Sequence, residues 1–154
     1  MTVTVYGRKA MAKLLSGGAL PHAAIISFSH PTDGASCERT LDFSGRCARV
    51  IRISLRDLDR KALPDFGLSE ATYFPEADEL AEFICRAKEE GLDILCQCEY
   101  GQSRSAGCAA AILEHFERRG IEIFADDRYY PNQLVYHKVK RALEKRGDGF
   151  LGIS

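Results

Sequence analysis

Residues 95–108 read LCQCEYGQSRSAGC, placing a cysteine, Cys98, and an arginine, Arg104, on either side of five residues that include Gly101 and Ser103. A tight loop of this kind offers its backbone N–H groups, a following helix adds positive potential at its N-terminus, and a guanidinium binds two oxyanion oxygens at once. A phosphate monoester, with a charge of about −1.5 to −2 at neutral pH, matches that field. The same field favours thiolate over thiol. Cys98 is therefore expected to attack phosphorus in line, giving a phosphocysteine intermediate that water then breaks down. Glu99, Tyr100, Gly101, Gln102, Ser103 and Arg104 form the expected phosphate cradle, with Gly101 allowing a close turn. Ser105 is placed to donate its hydroxyl to the sulfur as it leaves.

That chemistry needs a strand to deliver the cysteine and a helix to carry the arginine. Asp93–Cys98 (DILCQC) is an apolar run too short for a helix, and Ala106, Ala109, Ala110, Leu113 and Phe116 recur on one helical face, with Gly120 as a stop signal. Upstream, Ala23–Phe28 and Ala48–Leu55 have strand character, separated by a polar, turn-rich stretch, 29–47, expected as a long surface loop. Residues 75–90 show helical periodicity through Ala77, Leu80, Ala81, Ile84 and Ala87, with Pro75 suited to the first turn and Gly91 ending the helix. Val135, Val139, Ala142 and Leu143 mark a last helix running to about Arg146. Residues 121–130 are open between a strand and an irregular connection. Alternating strands and helices predict an α/β fold with a mostly parallel central sheet flanked by helices.

The bulk properties narrow the field of functions. A chain of 154 residues, 45% apolar and 28% charged, is expected to be one domain with its core at about 23–146. A formal net charge of −1 gives no reason to expect nucleic acid or an anionic membrane as partner. There is no signal-peptide pattern and no stretch near the roughly 18 apolar residues of a membrane helix. Six cysteines, several inside apolar runs, read as free thiols in a reducing, cytoplasmic setting. Cys96 and Cys98 lack the spacing of a zinc site, and no metal or cofactor is expected.

The segment CEYGQSRS, residues 98–105, resembles the signature loop of the protein tyrosine and dual-specificity phosphatase superfamily. Ile51–Asp59 (IRISLRDLD) resembles the strand and loop that bring in that family's general acid, and Pro131-Asn132 resembles a Pro-Asn pair of many dual-specificity members. The resemblance spans about Ala23 to Leu143 and is nearest in size to the small bacterial-type members. Two positions depart from the family pattern: Gln97 stands where it usually has His, and Tyr100 where it has Ala. The resemblance implies a cysteine-phosphatase-like fold and a phosphorylated protein or peptide as substrate.

The leaving oxygen needs a proton in the first step, and the same group, once ionised, activates water in the second. The resemblance places Asp57 in that role. Asp59 lies two residues further on the same segment, and Asp126 and Asp127, in DDRYYP, are weaker alternatives better read as rim or structure. Asn132 enters the expected substrate-binding set as a loop-holding residue, with capping of the last helix the simpler role. The histidines, His22, His30, His115 and His137, and the basic residues of the last helix read as structural. Cys96 or Cys108 could protect Cys98 as a reversible disulfide, against the plainer reading of buried inert thiols. Glu99 and the absence of Lys in the loop argue against a highly anionic head group. Two other functions compete: a catalytically silent phosphate-binding module, and a rhodanese-like sulfur transferase.

Overall fold

The computed structural model describes residues 2–31 and 41–146. In chain order these form β1 (Val3–Tyr6), α1 (Arg8–Ser16), β2 (Leu20–Ser29), β3 (Cys47–Ser54), a one-turn 3-10 helix (Leu63–Phe66), α2 (Ala77–Glu89), β4 (Asp93–Gln97), α3 (Arg104–Glu117), α4 (Ile121–Phe124) and α5 (Gln133–Arg146). The four strands lie in the order β1-β4-β2-β3. Every neighbouring pair is parallel, so the sheet is wholly rather than mostly parallel.

Burial follows from that order. The two central strands are apolar on both sides, as strands covered on both faces must be. Successive side chains alternate between the faces. Ala24, Ile26 and Phe28 of β2 and Ile94 and Cys96 of β4 join the large cluster under α2, α3 and α5. Ala23, Ile25 and Leu95 face the opposite way, onto Met11 and Leu15 of α1 and onto Phe43. Edge strand β3 alternates exposed and half-buried positions until Ile53. Residues Arg104 to Leu113 of α3 are all buried, so this is the central helix.

Several expectations need correction. The core does not begin at residue 23, because β1 and α1 add an edge strand and a helix on the second face. The stretch 29–47 is not all surface loop: Phe43 is 1% exposed, packed with Met11, and Arg46 Nη1 donates to Leu15 O at 2.9 Å. Residues 32–40 of that stretch lie outside the described residues. The ambiguous segment 121–130 begins as a short helix, its Ala125 N–H donating to Ile121 O at 2.9 Å. Pro75 lies ahead of α2, which starts at Ala77.

Two glycines in and just beyond α3 act through close approach. The left-handed position that ends α3 belongs to Arg118 (φ 57°), while at Gly120 a Cβ would come within 2.8 Å of Ala110 O. Gly107 lets α3 pass against the chain before α5: a Cβ there would sit 2.4 Å from Asn132 O. Gly107→Ala is therefore expected to destabilise the fold by about 1–3 kcal/mol through overpacking, read as a lowered midpoint in thermal unfolding.

Candidate active site

In a parallel sheet all C-terminal strand ends share one edge, where ligands bind. Here that edge gathers Tyr6 to Arg8 after β1, Leu55 to Asp59 after β3, and Cys98 to Ser103 after β4. Cys98 leaves β4 with its N–H on Tyr6 O at 3.2 Å. Its Sγ lies 3.0 Å from Ser105 Oγ in the first turn of α3. That contact closes the two ends of the loop on each other, so the intervening residues are curled rather than extended. Gly101 takes φ 69°, and a Cβ on it would meet Gly7 N at 2.5 Å. Among the described residues, no acceptor is found for the N–H groups of Tyr100, Gly101, Gln102, Ser103 or Arg104. Backbone donors without acceptors are uncommon in folded chains.

Arg104 is 7% exposed and turned inward. Its Nη1 donates to Leu55 O at 2.7 Å, whereas its Nε is buried with no partner among the described residues. A buried donor left unmade costs about 1–3 kcal/mol, and an oxyanion would relieve that cost. The loop therefore presents a concentration of unmet donors around one sulfur. Of the remaining loop residues, Glu99 is half-buried, Tyr100 is 78% exposed and Gln102 is exposed. Tyr100 thus projects from the loop into solvent.

Asp57, placed in the acid role by the resemblance, and its neighbour Asp59 part company in space. Asp57 Oδ1 accepts from Ser103 Oγ at 2.7 Å and from Asn132 Nδ2 at 2.8 Å. Asp59 Oδ1 instead accepts the N–H of Ala62 at 2.9 Å and serves a local turn. Asp126 pairs with Arg128, whose guanidinium and N–H hold its carboxyl down at about 2. It is therefore ionised at neutral pH and has no proton to give. Its segment buttresses the loop: Tyr130 N–H donates to Gln102 O at 2.7 Å and Asn132 N–H to Ser103 O at 3.0 Å.

Capping and loop-holding are not alternatives for Asn132. Its Oδ1 accepts from Val135 N–H at 2.9 Å, capping α5, while Nδ2 reaches both Asp57 and, at 3.1 Å, Leu58 O. Tyr73, which no sequence signal singled out, supports the same loop by donating its hydroxyl to Arg56 O at 2.6 Å. Burial pushes its phenol up to about 12, so it stays a neutral donor. Cys108 has Cys96 as hydrogen-bonding neighbour, and burial together with that thiol pushes Cys108 well up. Both are fully buried. His30 Nε2 lies 3.4 Å from Arg56 Nη1, beside the Asp57 segment. Among the described residues no three or more His, Cys, Asp or Glu side chains gather as a metal site, and no helix is long and apolar enough to cross a membrane.

No protein-family model matches the sequence, and no curated protein matches it. Solved structures do. Human DUSP28 matches with a TM-score of 0.58 at 12% identity, over 96% of this chain and 94% of that one. Tk-PTP in the active form gives 0.58 at 16%, over 95% and 93%. The human tyrosine phosphatase-like serine/threonine/tyrosine-interacting protein gives 0.56 at 16%, over 94% and 87%. With near-complete coverage of both partners in each case, the chain has the fold of the protein tyrosine and dual-specificity phosphatases.

Proposed function

We propose that this protein is a cysteine-dependent phosphomonoesterase acting on phosphorylated protein side chains, phosphotyrosine first among them. The observation that carries the reading is the closure of Cys98 Sγ on Ser105 Oγ at 3.0 Å beneath a loop in which, among the described residues, the N–H groups of Tyr100 to Arg104 and the buried Arg104 Nε lack acceptors. The phosphoryl oxygens take up those donors, and the Cys98 thiolate attacks phosphorus as the bond to the leaving oxygen breaks. Asp57 supplies the proton. Because Ser103 and Asn132 both donate to Oδ1, Oδ2 is the oxygen that carries it. In the second step Asp57, now ionised, takes a proton from water as water attacks the phosphocysteine, and Ser105 donates to the departing sulfur. The role of the resembled family's acid thus falls to Asp57, with Asn132 holding it rather than touching substrate.

The reading is tested by hydrolysis of an aryl phosphate and of phosphotyrosine and phosphothreonine peptides, with vanadate as inhibitor. Asp57→Asn is expected to lower kcat on phosphotyrosine peptide by about a hundredfold to ten-thousandfold. An aryl phosphate with a strongly acidic phenol, which leaves unaided, is expected to lose much less. Equal losses on both substrates would remove Asp57 from the acid role. Binding of phosphopeptide without turnover would favour the silent phosphate-binding module, and thiosulfate-to-cyanide transfer without phosphate release would favour the sulfur transferase.

A further inference from the structure

The first turn of the loop is held from outside at successive peptide groups. Cys98 N–H donates to Tyr6 O at 3.2 Å, Cys98 O accepts from Gln97 Nε2 at 3.0 Å, and Glu99 O accepts from Arg8 N–H at 2.9 Å. In a trans peptide the C=O and the following N–H point in opposite directions. Drawing the Cys98 carbonyl toward Gln97 therefore turns the Glu99 N–H the other way. Drawing the Glu99 carbonyl onto the junction of β1 and α1 does the same for the Tyr100 N–H.

Gln97 is itself fixed. It is 4% exposed, and Ser27 of the neighbouring strand, its partner in the β2–β4 register, donates Oγ to Gln97 Oε1 at 2.5 Å. A carbonyl only accepts, so the amide must present its NH2 group to Cys98 O and its oxygen to Ser27. Ser27 is 6% exposed, which makes this a buried hydrogen-bonded chain from the sheet to the nucleophile's own carbonyl. An amide keeps that donor at every working pH, whereas an imidazole changes charge between pH 5 and 8.

We propose that Gln97, oriented by Ser27, is a positioning residue that holds the Cys98 carbonyl outside the bowl and so aims the loop's leading N–H groups at the bound oxyanion, using a group that does not ionise. This rests on the phosphatase reading for its kinetic consequences, but its effect on anion affinity does not. Gln97→Leu keeps the volume and removes the donor. It is expected to lower kcat/KM by about tenfold to a hundredfold, less than the loss of a direct oxyanion donor, and to weaken tungstate binding, measured by calorimetry, in a similar ratio. Gln97→His restores a donor and is expected to recover most of the activity while adding an ionisation between pH 5 and 8 that the wild type lacks. Ser27→Ala, which frees the amide to rotate, is expected to cost several-fold.

Thermal unfolding separates positioning from packing. If Gln97→Leu lowers the melting temperature yet leaves kcat/KM and tungstate affinity at wild-type values, the residue only fills space and the inference is overturned. Should that variant fail to fold, Gln97→His and Ser27→Ala decide: a wild-type pH profile in the first and wild-type tungstate affinity in the second overturn it. Tungstate binding by a wild type without turnover would sink the phosphatase reading alone, since the Gln97 effect on affinity is still expected there. A wild type that neither binds tungstate nor turns over overturns both.

Discussion

Cys98→Ser is expected to lower hydrolysis of an aryl phosphate by at least about a thousandfold while leaving tungstate affinity within a few-fold of wild type. The substitution changes one atom in a position that is 2% exposed and 3.0 Å from Ser105 Oγ, so loop and helix have no reason to rearrange. What is lost is the nucleophile, because a serine hydroxyl here has no general base beside it to take its proton. The donors of the loop and Arg104 persist, and the variant should hold phosphopeptide without cleaving it. Residual activity equal to the wild type's would mean that phosphate release does not pass through this sulfur, and the enzymatic reading would fall.

The second large effect is at Arg104. Its Nη1 is committed to Leu55 O at 2.7 Å, leaving the buried Nε for an oxyanion. A lysine ammonium delivers its hydrogens from a single point and cannot hold the strand-end carbonyl and a phosphate in one rigid fork. Arg104→Lys is expected to cost about a hundredfold to a thousandfold in kcat/KM, or about 3–4 kcal/mol of transition-state stabilisation, and to weaken tungstate binding. Stability should move the other way in Arg104→Met: a buried, incompletely partnered charge gives way to an apolar chain of similar reach. Such exchanges are often neutral or stabilising. Unfolding midpoints and kinetics measured together check this. A marked loss of stability in Arg104→Met, with activity retained in Arg104→Lys, would show Arg104 to be structural.

How much of this was legible in the sequence depended on distance along the chain. The loop from Cys98 to Arg104 and the helices on either side were readable because their signals are local: a strand too short for a helix, a glycine, and an alanine-rich stripe at helical spacing. Strands β2 and β4 declared themselves as apolar runs because both of their faces are covered. Four-residue β1 could not be read that way, since Val3–Tyr6 pairs with Ile94–Gln97, some 90 positions away, and so short a run has no periodicity of its own. Only the resemblance favoured Asp57 over Asp59; their own local sequence did not separate them, for the same reason. What separates them is Asn132, 75 residues downstream, against a turn amide three residues away. Gln97 was visible as a departure from the resembled family, but not Ser27, which completes it from the neighbouring strand.

The pairing of β1 with β4 also sets an order of events during synthesis. Strand β1 must wait, unpaired, until residues 93–97 have emerged, because among the described residues its only partner strand is β4 and Thr2 N–H is anchored on Asp93. Such distant pairing is slow to form. The nucleophile's backbone N–H, held on Tyr6 O, therefore gains its backing only when two segments some 90 residues apart have come together.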